Sequence, residues 1–211
     1  MSMAEAGLPR VVVAVGNPLG ANPSASLRAA LDPEITALCR PILAGDMDVL
    51  HVAAAQMGGA IRLQRVGLFE EGHVGEGVLC VVDRAKHPLT PRPTGPLERA
   101  GERMLEDLDA ALQMLLFGRA EAAVIAPLAM EAVQAAGFQY QDLGSLIGEW
   151  LRLEASVPLP SARGNPLVRV AKGVPKPIVV AAPEDSARSE QLFLSLKEAL
   201  RIATALVDAP A

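Results

Sequence analysis

Val11-Val12-Val13-Ala14-Val15 is an unbroken apolar run of strand length, closed by Gly16 and Pro18. A strand with one wet face alternates apolar and polar residues. An unbroken run instead suits a strand buried on both faces, as in a parallel sheet covered by helices on each side. The signature recurs at Ala122-Ala123-Val124-Ile125-Ala126, stopped by Pro127, and again over 177–182. Helical patterns separate the runs, so the spacing predicts an α/β chain: a Rossmann-like three-layer sandwich with a mostly parallel sheet. Ligands in such sheets gather at the carboxyl ends of the strands. The loops after Val15 and Ala126 are therefore the first places to inspect.

Between these runs the punctuation is clear. Ser24 is expected to cap a helix that starts near Ala25 and ends before Asp32-Pro33. Pro41 to Gly45 reads as a second strand, after which Asp46 caps a helix reaching about Met57. Two short strands, 61–66 and 78–82, flank a polar, glycine-rich loop at 70–77. The segment 84–96 carries Pro88, Pro91, Pro93 and Pro96 and reads as an irregular connection. The strongest helix signal follows over 97–117, with Leu105, Leu108, Leu112 and Leu115 at helical spacing and acids on the other face. Helices are also predicted over 129–136, ended by Gly137, and over 143–153. Residues 154–176 are rich in Pro, Gly and Ser and read as a linker-like excursion. A closing strand and helix occupy 177–211, and the expectation is one α/β domain over 1–211.

Composition narrows the function classes. About half of the 211 residues are apolar but only 3% are aromatic, so the core must be built from Ala, Val, Leu and Ile. The net charge of −5, with no basic stripe, argues against nucleic acid. The arginines lie scattered among acids and read as solvated faces. No window approaches the 18 apolar residues of a membrane span, and residues 1–10 show no basic segment followed by an apolar stretch, so no leader is expected. The expectation is a soluble, cytoplasmic protein. Cys39 and Cys80 show no metal or redox spacing and read as buried thiols of a reducing compartment.

Candidate chemistry concentrates at strand ends. The loop containing Gly16, Asn17, Gly20, Asn22 and Ser24 can present backbone N–H groups to an anion at a helix N-terminus; its plainer reading is a connection made of turn residues. It fits neither the dinucleotide fingerprint nor the phosphate loop with Gly-Lys-Ser/Thr. Asp83 and Arg84, with Lys86, follow a strand and are candidate substrate contacts, although such ends ordinarily meet solvent. His73 among Glu70, Glu71 and Glu76, and His87 beside Pro88, read as solvated loop residues rather than metal ligands. Ser24, Ser145 and Ser161 lack a nucleophile context. Arg163-Gly164-Asn165-Pro166 reads as a linker turn.

Two segments carry a resemblance. One is Arg10-Val11-Val12-Val13-Ala14-Val15-Gly16-Asn17-Pro18-Leu19-Gly20-Ala21-Asn22-Pro23. The other runs from Leu97 to Leu146: a long Ala- and Leu-rich helix, Ala122 to Pro127, then Glu131 to Gly137, Phe138 and Tyr140. Their order resembles the 4-hydroxythreonine-4-phosphate dehydrogenase family over roughly the first 150 residues. That family runs from strand to Gly-Asp/Glu-Pro-Ala-Gly, then helix, strand, Thr-Ala/Gly-Pro-x-x-Lys, helix, and Tyr/Phe-x-Gly-His-Thr-Glu. The resemblance implies the first domain of the isocitrate/isopropylmalate dehydrogenase-like fold, in a family that oxidises a phosphorylated hydroxyamino acid during pyridoxal phosphate biosynthesis.

The departures fall on the chemistry. Ile125 and Met130 stand where the family has Thr and Lys. Leu143-Gly144-Ser145 stands where it has His-Thr-Glu, whose His and Thr contact the substrate phosphate. Three histidines of the later chain hold the family's divalent metal, whereas His51, His73 and His87 all precede that region here. The chain is also shorter than the family's members, by an internal deletion or a plain C-terminal truncation. The expectation is a pseudoenzyme or accessory protein, with no metal or cofactor, for a small anionic or phosphorylated metabolite or a partner subunit. Self-association is expected through the apolar stretch from Phe138 to Leu153, which includes Trp150. The alternative is a metal-independent enzyme acting on a phosphorylated metabolite of vitamin or pterin cofactor biosynthesis. Asn17, Asp83, Arg84 and Ser145 would be its polar groups.

Overall fold

In chain order the elements are β1 (Arg10–Ala14), α1 (Asn22–Ala30), α2 (Pro33–Thr36), β2 (Arg40–Ala44), α3 (Met47–Gln56), β3 (Arg62–Val66), β4 (Val78–Val82) and α4 (Leu97–Leu116). Then follow β5 (Ala122–Ile125), α5 (Met130–Ala135), α6 (Leu143–Trp150), β6 (Ser161–Ala162), β7 (Asn165–Val170), β8 (Ile178–Ala181) and α7 (Ser189–Val207). The structure, a computed structural model, describes residues 7–58, 61–68, 70, 77–84, 97–162, 165–182 and 188–207. The expectations for His73, His87, Lys86 and Arg163-Gly164 lie outside the described residues.

The strands form one eight-stranded sheet in the order β3-β4-β2-β1-β5-β8-β7-β6. The pairs from β3 through β8 are all parallel, while β7 and β6 add an antiparallel margin. Alternation along each strand explains why the runs are apolar throughout. Val11, Val13, Leu43, Val81, Val124 and Val179 face a core completed by α1, α2, α3 and α7. Val12, Ala14, Ala44, Val82, Ile125 and Val180 face a second core, under α4, α5 and α6. Both faces are dry, as the unbroken runs predict.

Several local expectations need correction. Ser24 does not cap α1. The helix begins earlier, with Ala21 at its N-cap and no side-chain cap, because Pro23 supplies a preset first-turn backbone. α1 does end before Asp32-Pro33, and a further short helix, α2, starts there, with the Asp32 carboxylate accepting from Glu34 N–H at 2.9 Å. The helix predicted over 143–153 stops at Trp150. Arg152 turns left-handed (φ 56°), and the N–H groups of Arg152 and Leu153 close back on Glu149 and Gly148.

Residues 154–176, expected as a linker-like excursion, contribute β6 and β7. Val157 N–H donates to Gly144 carbonyl at 3.0 Å, and β7 joins the sheet beside β8. Pro166 is tolerated because β7 lies near the sheet margin. The long helix α4 also departs from the simple picture of acids on a wet face, since Arg103 and Asp107 are both buried.

Candidate functional site: the carboxyl edge of the sheet

The chain leaves β1 toward β2 on one side, and β5 later takes the place on β1's other side. The carboxyl ends of β1 and β5 therefore flank the point where strand order reverses, the customary ligand crevice of such sheets. Gly16 leaves β1 at φ +79°, where a β-carbon would stand 2.6 Å from Asn22 Nδ2 and 2.7 Å from the Pro127 carbonyl. Only glycine meets both conditions. Asn22 is buried, and its Nδ2 donates to the Pro127 carbonyl at 2.9 Å. The two loops singled out in the sequence are thus tied together.

Asn17 closes the outer turn: its Oδ1 accepts from Leu19 N–H at 3.0 Å, and its carbonyl accepts from Gly20 N–H at 3.4 Å. The first turn of α1 carries no acid and no side-chain cap, so its amide end keeps a positive character. Gly16, Asn17, Gly20, Asn22 and Ser24 are consequently brought together, with Asn22 as brace and Ser24 half-buried inside the first turn.

Next to this crevice lies a charge cluster that sequence reading missed. Asp46 lies two residues past β2, and Asp83 lies one past β4, on paired strands. Between them Arg103 projects from α4 with its side chain only 3% exposed. Arg103 Nη2 lies 3.1 Å from Asp83 Oδ1 and 3.9 Å from Asp107 Oδ1, and Nε lies 3.4 Å from Asp46 Oδ2. Glu106 pairs with Nη1. Arg65 reaches Asp83 from the solvent side at 3.0 Å. The same acids serve α3: Asp46 accepts from Asp48 and Val49 N–H, and Asp83 from Met47 N–H at 3.3 Å.

This overturns the reading of Asp83 as a strand end that meets solvent, and of the arginines as uniformly solvated. The missed signal was the four-residue spacing of Arg103 and Asp107 among the apolar Met104, Leu108 and Ala111, which sets a charged pair on a core-facing stripe.

Electrostatics within the cluster are uneven. Burial would lower the Arg103 pKa, but Asp107, Asp46, Glu106 and Asp83 together hold it raised. Burial also pushes the Asp107 carboxyl well up, and Arg103 only partly offsets this. The two directions agree once the distances are compared. Asp107 is the most remote carboxylate from the guanidinium, so burial outweighs Arg103 there and holds the Asp107 pKa raised.

Arg84 and Ser145 do not join the crevice. Arg84 Nη1 pairs with Asp109 at 2.7 Å on the surface. Ser145 N–H and Oγ donate to Asp142 Oδ1 at 2.7 and 2.9 Å, which pulls the Asp142 carboxyl down. On the same helix, β-carbons at Gly144 and Gly148 would meet the carbonyls of Val157 and Ala155 at 2.3 and 2.6 Å. The segment 155–157 fills the space along α6.

The chain's histidines are His51, His73 and His87, and His51 is exposed on α3; among the described residues no cluster of three His, Cys, Asp or Glu is disposed to hold a metal. The acids of the carboxyl edge converge on a guanidinium instead. Among the described residues no helix is long and apolar enough to cross a membrane. Burial raises both thiols, Cys39 in the core and Cys80 half-buried.

Comparison with known proteins agrees with this architecture. The family model of PdxA, pyridoxal phosphate biosynthetic protein, matches residues 37–170. A 4-hydroxythreonine-4-phosphate dehydrogenase of Geobacter metallireducens is 28% identical over 142 residues, covering 67% of this chain and 42% of the relative. A D-threonate 4-phosphate dehydrogenase of Cupriavidus necator is 26% identical over 63% of this chain and 40% of the relative. The matched stretch thus spans well under half of these curated relatives.

Among solved structures, a 4-hydroxythreonine-4-phosphate dehydrogenase from Burkholderia phymatum superposes with a TM-score of 0.64 at 22% identity, over 78% of this chain and 49% of that one. A Salmonella typhimurium chain, provisionally assigned the same activity, superposes at 0.73 with 13% identity, over 93% of this chain and 99% of its own. These likenesses establish the Rossmann-like α/β fold.

Proposed function

From the premise that this chain belongs to the PdxA family, we propose that it is a binding or accessory member rather than a dehydrogenase, one α/β unit holding a small anionic metabolite at the β1/β5 crevice. The observation that carries this reading is at Gly144. The family pattern places there a threonine that contacts the substrate phosphate. Here the Val157 carbonyl lies 2.3 Å from where even a β-carbon would stand. That close approach supports the reading that no threonine-like phosphate contact is made from this position.

Other features support the same reading. Dehydrogenation in the family relies on a metal to polarise a substrate oxygen, and the histidines present do not fit that ligand set. The polar groups available for metal-independent chemistry are engaged: Asn17 with Leu19, Asp83 with Arg103 and Arg65, Arg84 with Asp109, Ser145 with Asp142. None is left as a poised acid or base. The uncapped first turn of α1, held open by the Asn22–Pro127 brace, keeps amide donors and a positive dipole end for an anion. Fold membership carries no activity by itself, and the site must supply it.

The test is a phosphate titration followed by amide shifts, run beside metal analysis and an assay of nicotinamide reduction with 4-phosphohydroxythreonine. The expected result is saturable shifts at Gly16 to Ser24, no stoichiometric metal after dialysis, and no turnover. Turnover, or one zinc, magnesium or manganese per chain, overturns the non-dehydrogenase reading. Shifts confined elsewhere overturn the crevice.

A further inference from the structure

The opposite, amino-terminal edge of the sheet carries an unresolved charge. Arg40 opens β2 in register with Arg10 of β1. Arg10 in turn stands beside Glu121, one step before the Val11–Ala122 pair. Both oxygens of Glu121 are taken by Arg10, through its N–H at 2.6 Å and its Nη2 at 3.0 Å. Lys176 adds another cation, donating to the Ala120 carbonyl at 3.1 Å. Among the described residues one carboxylate therefore faces three cations here, and Arg10 takes both its oxygens.

Arg40 is left with nothing. Its Nε and Nη2 are buried and have no hydrogen-bond acceptor among the described residues. The period of two along β2 turns Arg40 to the same face as Ile42 and Ala44, toward the α4 core. A guanidinium stays charged whatever its surroundings, so an unpaired buried one is strongly unfavourable unless something pairs with it. Arg103 differs: its Nε also lacks a hydrogen bond, but its guanidinium lies beside the carboxyl groups of Asp46, Asp83, Glu106 and Asp107.

The two orphaned nitrogens are also chemically specific. Nε and Nη2 form one side of the guanidinium, and their N–H bonds point in parallel. That fork matches two oxygens of a carboxylate or phosphate. Arg40 as a whole is only half-buried, although Nε and Nη2 themselves are covered, so an anion reaches the fork only as that cover shifts. We propose that Arg40, beside Arg10, binds a small free oxyanion at the amino-terminal edge of the sheet. The site is separate from the β1/β5 crevice, which lies at the other end of the strands.

The test uses isotopically labelled full-length protein and follows the Arg40 Nε–H signal, assigned by its loss in Arg40→Lys. Inorganic phosphate and acetate are the probes, with chloride at matched ionic strength as control. The expected result is a saturable shift of Nε–H with phosphate or acetate and none with chloride. Arg40→Lys keeps the charge but not the fork, and phosphate affinity at this edge, read from the Arg10 and Glu121 amides, should fall by about tenfold, the worth of one charge-assisted hydrogen bond. Asn17→Ala, at the crevice, should leave the Arg40 response unchanged, so that failure of one site is distinguishable from failure of the other. Equal responses to chloride, unaltered affinity in Arg40→Lys, or no saturable Nε–H shift would each overturn the proposal.

Discussion

Asn22 Nδ2 donates to the Pro127 carbonyl at 2.9 Å, joining the loops after β1 and β5 across 105 residues of chain. Removing the amide strands a part-buried carbonyl, which costs about 1–3 kcal/mol. Asn22→Ala should lower the unfolding free energy by that amount, read as a lower urea midpoint with the slope unchanged. Gly16→Ala should cost more, because it adds a left-handed backbone penalty to a contact at 2.6 Å with the Asn22 amide. If both variants unfold like the parent, the loops are not braced by this bond.

Arg103 neutralises acids that three separate elements deliver to one place. Arg103→Met removes the guanidinium from beside the buried Asp46, Asp83 and Asp107, although Arg65 still reaches Asp83, a loss of about 3–5 kcal/mol. Arg103→Lys retains the charge but not the fork and should fall between parent and Met. Thermal and urea unfolding of the two variants measure this directly. A Met variant as stable as the parent would mean the cluster contributes nothing.

Protonation of Asp107 gives stability a pH signature. Its folded pKa is raised, chiefly by burial, above its unfolded value. Its contribution is therefore fully present below the unfolded pKa and is lost as pH rises through the folded one. Glu121 acts in the opposite sense. Burial pushes its carboxyl up, but the hydrogen bonds and charge of Arg10 win and hold it lowered, so its stabilisation is lost as pH falls through that lowered value. Asp107→Asn should flatten the decline toward neutral pH and leave the acid limb intact. Melting temperatures of parent and variant across the acidic to neutral range decide it.

Legibility from sequence followed the physics of each signal. Strand runs such as 11–15 and 122–126 were readable because burial on both faces demands unbroken apolar residues, and Asp46 was readable as a cap because capping is local. The loops after β1 and β5 are readable as neighbours because the strand order brings them to one edge, where Asn22 bonds the Pro127 carbonyl. What escaped depended on long-range partners. Arg103 looks like any helix arginine until β2 and β4 deliver Asp46 and Asp83 to it. β7 was hidden because Pro166 and the neighbouring polar residues disguise a strand near the sheet margin. Ser24 was misread as a cap because Asn22-Pro23 already starts the helix.

Arg152 holds a left-handed backbone at the end of α6, a conformation that costs a side chain about 1–2 kcal/mol. Arg152→Gly should relieve it, offset in part by the freer unfolded chain, for a net gain of about 0.5–1 kcal/mol in urea unfolding. Gly144→Ala should do the reverse, since it drives a methyl into the Val157 carbonyl. It should also free the segment 155–157, read as faster amide exchange at Val157, whose N–H donates to Gly144. Protection of Val157 unchanged by that substitution would remove the packing argument made for α6.

The surface expected to self-associate is smaller than the sequence suggests. Leu146 and Ile147 are fully buried in the core under α6, so they are not available to a partner. What remains is Phe138, 40% exposed and stacked on Tyr140 with ring centroids 6.4 Å apart, together with the half-buried Trp150. Aromatic clusters of this kind anchor interfaces because they carry large area at small entropic cost. A standard interface needs about 800 Å² from each partner, which these three residues reach only with help from the neighbouring α5–α6 loop. The expected outcome is a mass above that of the monomer by light scattering, reduced to monomer by Phe138→Ser. Trp150→Ala should weaken association while also lowering stability, because its ring packs partly on the core. A monomer at every accessible concentration, with Phe138→Ser indistinguishable from the parent, would leave the stacked pair as a purely local feature of the turn before α6.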